Sequence, residues 1–152
     1  MTALLNIINP DIFDRWRDAA LALLRIATGT FIVDGVWDNI VSGERMTEFV
    51  KFMVSAQFPM PEFWAPFSVY TQFIAGLLII TGLFTRWGGL VLVATFLVGL
   101  IMVHWQQPLR EMWPALALVL IGATLVTQGG GRWSVDALLT RNARRDQSQT
   151  KP

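Results

Sequence analysis

Phe67 to His104 reads FSVYTQFIAGLLIITGLFTRWGGLVLVATFLVGLIMVH, and between its ends it carries one charge, Arg86. Each flank of that arginine is about as long as the ~20 apolar residues a helix needs to cross the hydrocarbon of a bilayer. Thr85-Arg86-Trp87-Gly88 therefore reads as the tight turn of a transmembrane helical hairpin. Arg86 and Trp87 fall there at the headgroup level, where basic and aromatic side chains are both stabilised.

Two more apolar runs flank this hairpin. The expected spans are about 16–37, 67–84, 88–104 and 112–126, which makes an all-α, integral membrane four-helix bundle. Only 15% of the 152 residues are charged and 53% are hydrophobic. A soluble domain carries roughly 25% charged residues, so the apolar blocks read as spans rather than as one oversized core. Residues 1–140 form one domain on this reading, and the polar tail 141–152 is expected to be disordered.

Before the first span, Asn9-Pro10-Asp11 reads as a helix start after a short apolar lead, Met1 to Ile8. Asn9 suits the cap, Pro10 the first helical position and Asp11 the positive end of the helix dipole. No cleavable signal peptide is expected, because that lead is short and has no basic region before it. Between the first two spans, Met46, Phe49, Val50 and Met53 recur at helical spacing, with Glu48 and Lys51 off that face. Arg45 to Ala56 is thus expected to be an amphipathic helix on the membrane surface. Gly43 breaks the first helix on this reading, and Pro59, Pro61 and Pro66 lead the chain into the second span.

Orientation follows the distribution of Lys and Arg. The side with the termini holds Arg15, Arg17, Arg86, Arg132, Arg141, Arg144, Arg145 and Lys151, and the other side holds Arg45, Lys51 and Arg110. That imbalance predicts both termini in the cytoplasm and the amphipathic helix outside. A net charge of +1 gives no basic stripe for nucleic acid. The absence of Cys removes thiolate ligands, iron–sulfur clusters and thiol catalysis. Haem is not expected, since His104 is the only histidine and bis-His ligation needs two, which leaves only His–Met ligation open.

Arg25 is the residue that most needs an explanation, because it lies deep in the first span, where a charge costs at least about 2.5–3.5 kcal/mol. It either anchors an anionic or carbonyl-bearing ligand, such as a quinone head or a sulfur oxyanion, or is structural, bonding to backbone and Gln72. Asp34 and Asp38 share one helical face at the far end of that span. His104, Gln107 and Glu111 reach the same level from the third span and its loop. Together these predict either a polar pocket, in which Asp34 or His104 handles protons, or a wet interfacial rim. A lone His without Cys argues against a metal site. Gln72, part-way along the second span, is expected to line the same cavity as Arg25 or to make an interhelical bond. The seven Trp all fall near span ends, as an aromatic belt would place them, and Trp37 or Trp105 offers a ring on which a quinone can stack. Arg132 and Asp136, four apart after a run of glycines, are expected to cap the bundle as an ion pair. Ala27, Gly29, Gly76, Gly82, Gly88, Gly89, Gly99 and Gly122 are expected to permit close helix contact.

Three motifs in order resemble the DoxX family. They are Leu24-Arg25-Ile26-Ala27-Thr28-Gly29, then Ile79-Ile80-Thr81-Gly82-Leu83-Phe84-Thr85-Arg86, then Gly130-Gly131-Arg132-Trp133-Ser134-Val135-Asp136. The resemblance covers roughly Leu21 to Leu139. It implies a small four-helix protein of the bacterial inner membrane. Some relatives are subunits of thiosulfate:quinone oxidoreductase, others accompany redox or stress-response partners, and many have no defined activity. Two positions depart from the family: Asp34 stands before Gly35 where a His is common, and Gln72 stands where a Glu is common. The expected function is an accessory or quinone-interacting subunit of a membrane oxidoreductase, alone or beside other membrane or redox subunits or copies of itself. A non-catalytic scaffold or assembly subunit is the alternative. A small-solute transporter fits less well, because broken helices and repeat symmetry are missing.

Overall fold

The computed structural model describes residues 16–105 and 107–149. The expected N-terminal lead and the Asn9-Pro10-Asp11 helix start lie outside the described residues, as does the side chain of His104. The elements in chain order are α1 (Arg17–Val41), α2 (Gly43–Ser55), α3 (Pro61–Thr81), α4 (Thr85–Gly99), α5 (Leu109–Gln128) and α6 (Val135–Gln149), and α4 continues through a π-helical turn, Leu100–His104. Four of these helices are long and apolar enough to cross a membrane: α1, α3, α4 with its π-turn, and α5.

Local chemistry sets the helix ends. Ser42 takes extended backbone angles (φ −125°, ψ 113°) between α1 and α2. Its N–H returns to Asp38 O at 3.0 Å and its Oγ accepts from Arg45 N at 3.3 Å, so one serine closes α1 and caps α2. Gly43, expected to be the breaker, is instead the first residue of α2. The second span also begins earlier than about Phe67, because Pro61 sits at the first helical position and Pro66 lies inside α3. A proline at that position has no N–H that needs a partner and a φ already suited to the helix, so it starts a helix as readily as it stops one. At the other end, Gly82 takes φ +72° and its N–H reaches Leu78 O at 2.9 Å. The next residue, Leu83, also donates to Leu78 O, at 3.1 Å, and the left-handed conformation that this closure requires suits glycine.

Packing brings backbone to backbone in two places. A Cβ on Gly29 of α1 would lie 2.7 Å from Gly76 O of α3, and one on Gly89 of α4 would lie 2.8 Å from Gly122 O of α5. Small residues let transmembrane helices approach this closely, and the gain is van der Waals contact rather than hydrophobic burial. Gly88 completes the set between α4 and α3, where an added Cβ would lie 2.9 Å from Ile79 Cγ1. Gly99 and Ala27 do not belong to it. A Cβ on Gly99 would meet nothing within 4 Å, and Ala27 is exposed. The core is a single apolar cluster of Ile32, Ile79, Leu92, Leu118 and Leu125, with Leu21, Phe96 and Ile121 against it. It draws on all four long helices.

The outward faces are apolar as well: Leu23, Phe31, Ile74, Leu90, Val98 and Leu120 are all exposed. In water such a surface would be a liability, and in lipid it is the expected one. All seven Trp are exposed, from 41% for Trp64 to 71% for Trp105. They lie at the two ends of the bundle, as a headgroup belt requires. The amphipathic α2 packs on α1 and α3 with Met53 buried. After the glycine run, α6 continues in helix through Arg141 to Gln149. The physical reason is a good start, since Ser134 Oγ accepts from Ala137 N at 3.2 Å, and the following Ala, Leu and Arg residues favour helix.

Candidate functional site

Among the described residues, the buried polar side chains Arg25, Thr85 and Ser134 gather at the end of the bundle where α1 begins and α5 stops. Arg25 is 1% exposed. Its Nη1 donates to Ile79 O at 3.2 Å and Ile80 O at 3.4 Å, and its Nη2 donates to Trp133 O at 2.9 Å. The last carbonyls of a helix have no partner within it. Arg25 supplies donors at the end of α3 and ties that end to the loop after α5. The guanidinium fork suits this, because it offers several donors in fixed directions.

Around Arg25 the three family-like motifs close into one knot. Asp136 accepts from Phe84 N at 2.8 Å and from Thr85 N at 3.0 Å, and its own N–H donates to Gly82 O at 3.0 Å. The carboxylate thus caps the start of α4, where the helix dipole also favours it. Asp18 Oδ1 accepts from Arg132 N at 3.1 Å, with Arg132 Nε 3.8 Å from Asp18 Oδ2. Arg86 Nη1 donates to Val126 O at 3.0 Å, near the end of α5. The expected Arg132–Asp136 pair is therefore not made. Both residues do cap the bundle, each with a partner from a distant part of the chain. Two buried atoms of the knot, Arg25 Nε and Thr85 Oγ1, have no partner among the described residues.

Asp136→Asn is expected to lower stability by about 1 kcal/mol, because an amide has one acceptor oxygen for two N–H donors. Thermal unfolding in detergent, followed by circular dichroism, reads this directly; an unchanged midpoint would mean that the cap contributes nothing.

The far end presents a different picture. Asp34 lies nine positions after Arg25 in one continuous helix. At about 100° per residue the two point to opposite sides of α1. Arg25 faces the bundle, so Asp34 faces outward, and it is exposed. Gln72 is four residues before Gly76, which packs on Gly29, and is half-buried. It sits on the inward side of α3, and Trp37 reaches the neighbouring ring of Phe73 at 6.1 Å between centroids. Arg25, by contrast, bonds α3 at Ile79 and Ile80, about two turns from Gln72. Among the described residues Trp37 therefore meets α3 at Phe73, the residue after Gln72, while Arg25 bonds the other end of α3 and Asp34 faces away from the bundle. Glu111 is exposed in the first turn of α5. No group of three or more potential metal ligands is found among the described residues.

Sequence reasoning expected Asp136 to cap the bundle through Arg132 and placed Thr85 in the hairpin turn, but did not foresee that Asp136 accepts from Phe84 N and Thr85 N, and it gave Asp18 no partner. The second and third motifs hold both sides of the Asp136 cap, whereas Asp18 lies outside all three. Fold and site together define a multi-pass helical membrane protein whose terminal end is locked by backbone-directed Arg and Asp side chains. The family model named DoxX matches residues 20–105, more than half of the chain, and the chain belongs to the DoxX family. No curated protein and no solved structure matches it.

Proposed function

We propose that this chain is an accessory subunit of a membrane-bound oxidoreductase of the bacterial inner membrane, of the thiosulfate:quinone oxidoreductase kind. Both termini are cytoplasmic in this reading, as the Lys and Arg distribution favours. The observation that carries it is Asp34. It is an ionisable residue on the outward side of a span, one turn inside the interfacial Trp37. Helical side chains tilt toward the helix N-terminus, which for Asp34 means toward the middle of the bilayer and away from the nearer water. Neither ion pair among the described residues involves it. A carboxylate in that place is stabilised by a cation or a donor from another membrane subunit, and the exposed Ala27 and Thr30 below it allow a helix to come close. A second copy meeting the same face would oppose Asp34 with Asp34, so a different subunit fits better than a symmetric dimer.

A photo-cross-linking residue in place of Phe31, on the same outward side, tests this in native membranes. Cross-linking to a redox subunit, weakened by Asp34→Leu without loss of thermal stability, is the expected result. Cross-links to lipid or to the chain itself, unchanged by Asp34→Leu, would sink the reading.

A second reading keeps the quinone. It is favoured by the half-buried Gln72, next in the chain to Phe73, whose ring lies 6.1 Å from that of Trp37. The site fits a quinone only in part, because the Arg25 guanidinium is occupied by backbone carbonyls. Gln72 would donate to a carbonyl of the headgroup and Trp37 would stack on it. Organic extraction of the purified protein, with Gln72→Leu as the comparison, decides whether any quinone is bound there.

A further inference from the structure

A cavity of about 630 Å³ opens at the terminal end of the bundle, between the α3–α4 turn, the glycine run after α5, and α6. Its walls carry two cations, Arg86 from α4 and Arg141 from α6. Asp136 is the one acid among the residues that line it, and both of its carboxylate oxygens already accept backbone N–H groups. The cavity is therefore cationic in effect. A smaller cavity of about 350 Å³ shares Gln128 and Gly131 with it and adds Arg17. Here too the acid, Asp18, is already engaged, by Arg132. Phe84, Trp87 and Leu139 also line the larger cavity and are 59%, 65% and 56% exposed. It thus joins an apolar rim to the exposed guanidinium groups of Arg86 and Arg141.

Its depth says what meets it. The α3–α4 turn lies between two spans, and Trp87 marks the headgroup level on that side. We propose that this cavity holds the phosphate headgroup of an anionic phospholipid, with Arg86 and Arg141 on the phosphate and the acyl chains passing over Phe84 and Trp87. Basic pockets between helices at this level recognise anionic headgroups by charge. Arg86 is held in place for this by its bond to Val126 O. Arg141 is exposed and makes no side-chain bond within the described residues, so its replacement is expected to leave the fold intact.

The test uses the full-length protein in detergent, incubated with phosphatidylglycerol or phosphatidylcholine, and native mass spectrometry to count retained lipid. Retention of phosphatidylglycerol over phosphatidylcholine is expected, falling about fivefold in Arg141→Gln. Lys51→Gln, at the opposite end, is expected to change nothing. Excess inorganic phosphate is expected to leave the lipid in place, because the rim contacts are missing from the free ion. Equal retention of the two lipids overturns the proposal. So does an unchanged Arg141→Gln, an equal loss in Lys51→Gln, or complete displacement by free phosphate.

Discussion

Arg25→Ala is expected to yield a protein that still inserts but is less stable by about 3 kcal/mol, read as a lower midpoint of thermal unfolding in detergent. The substitution orphans the carbonyls of Ile79, Ile80 and Trp133, which now accept from a guanidinium that is 1% exposed. Hydrogen bonds to charged groups contribute about 1.5–3 kcal/mol each. The three do not add fully, because water at the bundle end can reach part of the freed backbone and because the variant no longer buries a charge. Arg25→Lys is expected to recover less than half of the loss, since a single ammonium cannot bridge α3 and the loop at Trp133 as the fork does. The competing role of Arg25 as a ligand anchor makes the opposite forecast. If Arg25→Ala melted like the parent and lost binding of a quinone analogue, the capping account would fail.

The contrast between what the sequence announced and what it concealed has a physical cause. The four spans were legible because an apolar run near 20 residues has few other uses. The surface helix was legible because Met46, Phe49, Val50 and Met53 keep a helical period, although Met53 alone among them is fully buried. Helix ends were harder: a proline signals a boundary without saying on which side the helix lies, and Pro61 and Pro66 were assigned to the wrong side. The knot could not be read from side-chain pairing. The partners of Arg25 are 54, 55 and 108 residues away, and they are backbone carbonyls, which every residue has. Arg25 and Asp34 are nine positions apart on one helix, so helical geometry alone puts them on opposite faces.

Gly82→Ala is expected to be at least as damaging as Arg25→Ala, at about 4 kcal/mol, and for two separable reasons. Gly82 has φ +72°, a left-handed conformation that costs an L residue about 1–2 kcal/mol. A Cβ there would also overlap Arg25 Nη1 and come within 2.6 Å of Ser134 Cβ, so the guanidinium must leave the carbonyls it caps. The overlap with the guanidinium exists only while Arg25 is present, whereas the contact with Ser134 Cβ persists without it. In an Arg25→Ala background Gly82→Ala is therefore expected to cost the backbone term and the Ser134 contact but not the lost arginine bonds, giving a coupling of about 2 kcal/mol in a double-mutant cycle. Gly99→Ala is the control, since a Cβ there meets nothing within 4 Å and alanine favours helix by up to about 1 kcal/mol. Strictly additive losses for Arg25 and Gly82 would mean that the two do not share a site, and that the turn of the hairpin is held by its own backbone rather than by the arginine of the first span.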